Sequence, residues 1–303
     1  MITLGSTTTG PRSTSSERRA GRRAGWKQAA VLLSIAACSA PTAAAQDPRE
    51  IILRSAALDQ RDLELRRNYT YVVKAEQRRL DSQGRLRSAE SEEWEVLVLY
   101  GSPYRRLIAK NGRPLSAEEE RKEQAKLEKE MARRRKAAEK DPGKLSREDA
   151  RELEEQKALL KEIADAFSFR IEGEELVDGF RCWRIRAEPL PGYRPKSRRA
   201  KLLPAFRGLL WITQDEYRWA RVEAEAVRTV SFGWILARLQ PGSQLWFEQK
   251  RVQDEIWLPS SARMKIFARL GLVRKLNAEV DVTFSNYRKF QTDSRIVETQ
   301  ELP

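Results

Sequence analysis

The sequence contains no histidine among its 303 residues. Without histidine, a Ser-His-Asp triad, a Cys-His pair and a histidine-ligated zinc site are all excluded, and so is a pH switch based on imidazole. The sequence also lacks a Walker loop, a Gly-x-Ser-x-Gly elbow, a Cys-x-x-Cys pair and acidic residues clustered at metal-ligand spacing. It therefore predicts a non-enzymatic protein with no catalytic residues, no metal and no cofactor.

Cysteine is nearly absent, since the chain has only Cys38 and Cys182. Cys38 lies in a leader segment, so Cys182 has no partner for an intrachain disulfide. Cys182 stands between Arg181 and Trp183 in a predicted strand. Because no histidine is present to activate the thiol, we expect a buried structural cysteine and not a nucleophile.

Long hydrophobic runs are missing as well. The apolar run at 29–37 is far shorter than the ~20 residues that a membrane-spanning helix needs. Basic residues precede it and Ala43-Ala44-Ala45 follows, and these three zones in this order are typical of a bacterial export signal. We expect residues 1–45 to form a signal peptide and the mature protein to begin at Gln46 in the periplasm.

The leader contains a second processing site. Ile35-Ala36-Ala37-Cys38 resembles a lipobox, in which the cysteine is lipidated and becomes the first residue of the mature protein. Pro41 and the alanines that follow favour cleavage after Ala45. Acylation of Cys38 would instead attach the protein to the outer membrane as a lipoprotein. A single acyl chain binds a membrane only marginally, whereas several acyl chains anchor a protein stably.

The charge of the chain is basic but mixed. Residues 1–45 carry six of the 58 basic residues and one of the 44 acidic residues, which leaves a net charge of +9 for residues 46–303. This balance suits anionic lipid surfaces or acidic partners and does not indicate nucleic acid. The densest basic stretch contains Arg194, Lys196, Arg198, Arg199 and Lys201. It is either a solvated loop or a surface that binds phosphate headgroups or an acidic partner.

The pattern of the remaining chain predicts helices around a β-rich region. Asp47-Pro48-Arg49-Glu50 begins a helix, and apolar residues alternate with polar ones from Tyr69 onward. Residues 116–167 differ, because their charge and capping residues predict two helices, of which the second is amphipathic and must dock on the sheet. The later strands are joined by short turns, which favours antiparallel neighbours. We expect a short helix at 197–203. We expect strands at 169–176, 180–187, 208–213, 220–229, 233–239, 243–252, 262–268 and 275–290.

Three segments of the C-terminal half resemble one known family. Gly208–Ile212 leads into Arg221-Val222-Glu223, Ile256–Pro259 follows Asp254, and the closing strand is Val282–Phe290. These segments resemble the hairpins of the outer-membrane lipoprotein-sorting superfamily of periplasmic lipoprotein carriers and receptors. The resemblance implies an α+β fold for residues 46–303: an antiparallel, unclosed β half-barrel with helices covering its concave side, plus an inserted charged helical hairpin at 116–167.

The resemblance also implies a function. In such a fold, lipid or lipoprotein acyl chains would bind in an apolar cavity, and its wall candidates are Trp211, Ile212, Val222, Trp246 and Phe284. The charged helical hairpin and the basic stretch depart from the family pattern. They favour an alternative, in which the protein is an envelope interaction or stress-sensor module whose helical hairpin is the surface for an envelope protein partner.

Overall fold

The computed structural model describes residues 46–141, 144–232, 237–270 and 274–289. The predicted signal peptide and Cys38 lie outside these residues. No helix in the described ranges is long and apolar enough to cross a membrane. The helices are α1 (Pro48–Arg66), α2 (Ala117–Lys140), α3 (Lys144–Ala166) and a 3₁₀ helix (Arg199–Ala205).

In the described ranges, thirteen strands form a single antiparallel sheet. They are β1 (Tyr69–Leu80), β2 (Leu86–Leu99), β3 (Ser102–Lys110), β4 (Arg113–Pro114), β5 (Phe167–Val177), β6 (Phe180–Pro189), β7 (Phe206–Thr213), β8 (Trp219–Ala226), β9 (Val230–Phe232), β10 (Ala237–Leu239), β11 (Gln244–Val252), β12 (Ile256–Leu270) and β13 (Arg274–Lys289). Their order is β4-β3-β2-β1-β13-β12-β11-β8-β7-β6-β5, with the β9–β10 pair attached to β12.

The sheet is open, since within the described residues β4 pairs only with β3 and β5 only with β6. The predicted α+β fold, an unclosed antiparallel sheet covered by helices, is therefore confirmed. The expected strand at 220–229 ends earlier, at Ala226. The expected strand at 233–239 falls partly outside the described residues, and its described part is β10.

The cover of the sheet begins with α1. The Asp47 side chain accepts a hydrogen bond from the backbone N–H of Arg49, and Ile51 and Ile52 are buried. They pack with Ala164 of α3 against apolar side chains of β6 and β7, chiefly Trp183, Ile185, Leu210 and Ile212. We call the sheet face beneath these helices the inner face and the opposite one the outer face.

The second half of α1 is held by a buried ion pair. The side chain of Asp62 is 3% exposed and lies 2.8 Å from the guanidinium of Arg218, which follows β7. Burial raises the pKa of Asp62, and the charge of Arg218 acts in the opposite direction. Nearer the start of the helix, the Arg54 guanidinium lies 3.7 Å from the ring centre of Tyr217. Polar contacts thus fix the orientation of a helix that apolar contacts hold in place.

The helical hairpin of α2 and α3 begins with the predicted cap. The Ser116 side chain accepts from the backbone of Glu119, whose carboxylate accepts from the backbone of Ser116 in return. Most of α2 is exposed charge, as expected, but Arg134 is buried. Its guanidinium donates to the backbone carbonyls of Leu99, Ser102 and Pro103 at 2.8–3.1 Å. This single side chain joins α2 to the turn between β2 and β3.

Replacing Arg134 tests this junction. Arg134→Met keeps most of the volume but removes every donor, so buried carbonyls lose their partners, and we expect a loss of about 1–3 kcal/mol in the free energy of unfolding. The measurement is urea denaturation of the mature chain. Arg135→Met, on the exposed side of the same helix, is the control and should change stability by less than about 0.5 kcal/mol. Equal effects of the two substitutions would contradict this role of Arg134.

Candidate functional site: an apolar cavity on the inner face

A cavity of about 390 Å³ lies on the inner face, between the sheet, α3 and the 3₁₀ helix. Its size is within the usual range for small-molecule sites. We call it the inner cavity. Strands β6, β7, β8 and β11 form its floor, and the two helical segments form its walls.

The floor is low because small residues meet there. Ala187 of β6 pairs with Gly208 of β7, and Gly208 pairs with Ala224 of β8, so these three residues form a row across the sheet. A Cβ atom at Gly208 would lie 2.4 Å from the backbone oxygen of Glu223, so the main chains approach too closely for any side chain. The next row, Leu210 and Val222, is taller and bounds the cavity on one side.

The walls are aliphatic. Leu159 and Ile163 stand one helical turn apart on α3 and face the cavity together with Leu202 and Leu203 of the 3₁₀ helix. Phe167, Phe206, Trp219 and Leu245 complete the apolar lining. Such a surface offers burial to hydrocarbon and few hydrogen bonds.

Two arginines, Arg199 and Arg207, are among the lining residues. Arg199 is 2.6 Å from the carboxylate of Glu152 on α3, and this pair is substantially exposed, so it contributes little to stability and can exchange its partner. Arg207 alternates with Phe206 and Gly208 along β7, so its side chain points to the outer face, where it lies 2.9 Å from the carboxylate of Glu225. Of these two arginines, Arg199 is therefore the one whose guanidinium is available to an anionic group bound at the cavity.

A second cavity of about 270 Å³ lies near the C-terminal end of α1. Its wall is aromatic: the Tyr71 ring centre is 5.2 Å from that of Tyr287 and 6.3 Å from that of Phe284. The hydroxyl of Tyr287 donates to the carbonyl of Pro259 at 2.7 Å, and burial raises the pKa of Tyr71. Arg66, which also lines this cavity, is already paired with Asp59.

The five wall candidates named from the sequence are divided by the structure. Val222 lines the inner cavity, Phe284 lines the second cavity, and Ile212 is fully buried in the core beneath α1. Trp211 and Trp246 lie on the outer face, because successive residues of a strand point to opposite sides. The structure therefore does not bring these residues into one site.

Sequence reasoning missed the residues that create the inner cavity, which are Ala187, Gly208 and Ala224. The sequence-based candidates are mostly large apolar residues, whereas a cavity forms where side chains are small. The available signal was the alternation in β8, in which Val222, Ala224 and Ala226 share one face. Only the strand pairing aligns these alanines with Gly208 and Ala187.

On the outer face, Trp211 belongs to a structural cluster. It packs with Trp257, Cys182 and Val177, and its indole N–H donates to Glu175 at 2.9 Å. The Cys182 side chain is fully buried, and burial raises the pKa of its thiol to about 11. The thiol therefore remains protonated at neutral pH, in keeping with a structural cysteine.

The rest of the outer face is covered by cross-strand ion pairs. Arg263 donates to Asp281 at 2.7 Å, and Arg186 donates to Glu172 at 2.6 Å. Across the described ranges, no group of three or more acidic or cysteine residues lies close enough together to hold a metal ion. The charges of this face are satisfied by one another, as expected for a solvated sheet surface.

The basic stretch is held against α3 by Glu162, whose side chain is buried. The Glu162 carboxylate accepts hydrogen bonds from the Tyr193 hydroxyl at 2.5 Å and from the backbone N–H of Lys196 at 2.8 Å. Burial acts to raise the pKa of Glu162, but these hydrogen bonds outweigh it and the pKa is lowered. The loop therefore has a defined position beside the cavity.

The predicted basic residues fall into two groups. Lys196 lies 3.1 Å from Asp165, and Arg199 is paired with Glu152, so both are engaged by α3. Arg194, Arg198 and Lys201 are exposed, and no carboxylate of the described residues pairs with them. The stretch is thus partly a support for the cavity wall and partly free positive charge.

The stability conferred by Glu162 should depend on pH. Because the folded pKa is lowered, the carboxylate stabilises the loop above its unfolded pKa of about 4.3, and this contribution disappears as the pH falls through the folded value. We expect Glu162→Gln to lower the free energy of unfolding by about 1–3 kcal/mol at neutral pH and by much less at acidic pH. Denaturation across pH measures this, with Glu154→Gln, an exposed carboxylate of α3, as control. A pH-independent difference would contradict it.

No protein-family model matches the chain, and no curated protein matches it. Some solved structures do match the chain. A DUF1329 family protein from Desulfovibrio piger is 13% identical with a TM-score of 0.32, and the match covers 82% of this chain and 96% of that one. An outer membrane lipoprotein-sorting protein domain from Vibrio parahaemolyticus is 12% identical with a TM-score of 0.30, covering 80% and 94%.

A LolA superfamily protein from Nitrosomonas europaea is 9% identical with a TM-score of 0.29, and the match covers 82% of this chain and 94% of that one. These last two proteins bear the name of the superfamily that the C-terminal hairpins resemble.

Proposed function

We propose that this protein is a non-enzymatic protein of the bacterial envelope that binds a lipid or a lipidated ligand, with an acyl chain in the inner cavity. The observation that supports this most is the cavity itself, with its low floor at Ala187, Gly208 and Ala224 and its aliphatic walls. Each methylene group that leaves water for such a surface contributes about 0.8 kcal/mol. A chain of several methylenes therefore binds without any specific polar contact.

A basic group at the cavity suits the polar end of such a ligand. Arg199 lines the inner cavity, and a guanidinium binds carboxylate or phosphate with two parallel hydrogen bonds. Its present carboxylate partner, Glu152, is exposed, so an anionic headgroup can replace it at low energetic cost. The ligand that fits best has an acyl chain and an anionic head.

We expect a polar substitution inside the cavity to abolish this binding. Leu245→Glu introduces a carboxylate beside the acyl chain, where an unpaired charge is strongly disfavoured, so affinity for a fluorescent fatty acid should fall at least about tenfold. The control is Leu176→Glu, since Leu176 is 67% exposed and lines neither cavity. Melting curves establish that both variants fold.

Mass spectrometry of the purified mature protein, under delipidating conditions, gives a second readout. We expect a released lipid, and the mass of the chain identifies the N-terminus as Gln46 or as an acylated Cys38. A chain that begins at Gln46 would be a periplasmic carrier, and a chain that begins at acylated Cys38 would be tethered to the outer membrane. A spectrum without ligand, together with no uptake of fatty acid, would overturn the proposed function.

The helical hairpin supports a second candidate function, as a surface for an envelope protein partner. Arg134 holds α2 rigidly against the sheet while most of the helix remains exposed, which suits a preformed interface. Removal of the whole hairpin would disrupt the core, because Ala164 of α3 is part of it. The test is therefore Lys129→Glu with Lys136→Glu on exposed α2 positions. Co-purification of a partner should be lost, whereas its persistence would rule out this surface.

A further inference from the structure

The 3₁₀ helix forms part of the wall of the inner cavity, and its side chains differ in character from one side to the other. Arg199, Leu202 and Leu203 line the cavity. Because a 3₁₀ helix has three residues per turn, Arg198 and Lys201 lie on one side of the segment, and both are exposed. This segment therefore presents two leucines and Arg199 to the cavity and two further basic side chains to solvent.

The basic side continues into the preceding loop. Arg194 is exposed, and within the described part of the chain no carboxylate pairs with Arg194, Arg198 or Lys201. Leu190, where this loop begins, is 44% exposed. We call Leu190, Arg194, Arg198 and Lys201 the basic patch. It combines unpaired cations with an exposed apolar side chain, and it differs from the outer face, where arginines are paired across strands.

The patch has a fixed position relative to the cavity. Glu162 binds the Tyr193 hydroxyl and the Lys196 backbone, and Glu152 binds Arg199, so α3 holds both the loop and the first turn of the 3₁₀ helix. These contacts use the acidic side chains of α3 that could otherwise neutralise the patch. The remaining cations are therefore directed outward on a rigid support.

We propose that the basic patch docks the protein on an anionic lipid bilayer, with the wall of the inner cavity against the headgroups. This inference rests on the proposed function, since docking there would bring the cavity to the source or destination of an acyl ligand. A bilayer fits the patch because it presents many phosphates in a plane, and unpaired cations near such a surface each strengthen binding about fivefold. Exposed Leu190 can enter the interface between headgroups and acyl chains.

Vesicle co-sedimentation of the mature chain tests the proposal. We expect binding to vesicles of phosphatidylcholine with phosphatidylglycerol, weakening as salt is added, and no binding to phosphatidylcholine alone. The triple variant Arg194→Gln, Arg198→Gln and Lys201→Gln should bind about 100-fold more weakly. The control triple removes three exposed cations near the other end of the strand order, by Arg87→Gln, Arg113→Gln and Lys129→Gln, and should bind like the unaltered protein.

The outcomes separate this inference from the proposed function. Equal binding to both kinds of vesicle, equal losses in the two triple variants, or no vesicle binding at all would overturn docking through the patch. Capture of an acidic protein by the patch, without vesicle binding, would overturn it too. Fatty-acid uptake by the patch variant should remain unchanged, and its loss in Leu245→Glu tests the cavity independently. Vesicle binding without any fatty-acid uptake would contradict the proposed function but would still support docking through the basic patch.

Discussion

Burial of the inner face of the sheet is the constraint on which the rest of this structure depends. An unclosed sheet exposes one apolar face unless other elements cover it, and here α1 and α3 provide the cover. Ile52 of α1 and Ile185 and Ile212 of the sheet are fully buried at the contact. The ion pair between Asp62 and Arg218 then fixes how α1 lies across the strands. The two cavities lie on this face beside the helices.

Most charged side chains lie on the surface, away from that apolar core. The outer face and α2 account for many of the ion pairs, and most of these are exposed, so they keep the surface solvated and add little stability each. Arg134 and Glu162, like Asp62, are exceptions because they are buried with polar partners. Arg134 donates to backbone carbonyls, and Glu162 accepts from a hydroxyl and a backbone N–H. Arg134 connects α2 to the ends of β2 and β3, and Glu162 connects α3 to the basic stretch.

Much of the fold could be predicted because it follows from local rules. The caps at Asp47 and Ser116 mark helix starts, and the alternation at Val222 and Ala224 marks a strand with one apolar face. The site could not be predicted in the same way. Trp211 and Ile212 are adjacent and both hydrophobic, yet they lie on opposite faces, and only the position of the helices decides which face is inner. In the sequence, Arg134 looks like the solvated arginines beside it. Its carbonyl partners are some thirty residues away along the chain, so no local pattern indicates that it is buried.

The close approach at Gly208 has a consequence for the volume of the inner cavity. The main chain of β8 leaves no room for a side chain at this position, so the depth of the floor is fixed there. Ala187 and Ala224, which lie on either side of Gly208 in the row, already carry a Cβ atom. Replacement of either alanine by a larger aliphatic residue would add methyl groups to the floor and reduce the volume of the cavity. Its volume can therefore be reduced from two positions of the row, while the glycine between them has to stay as it is.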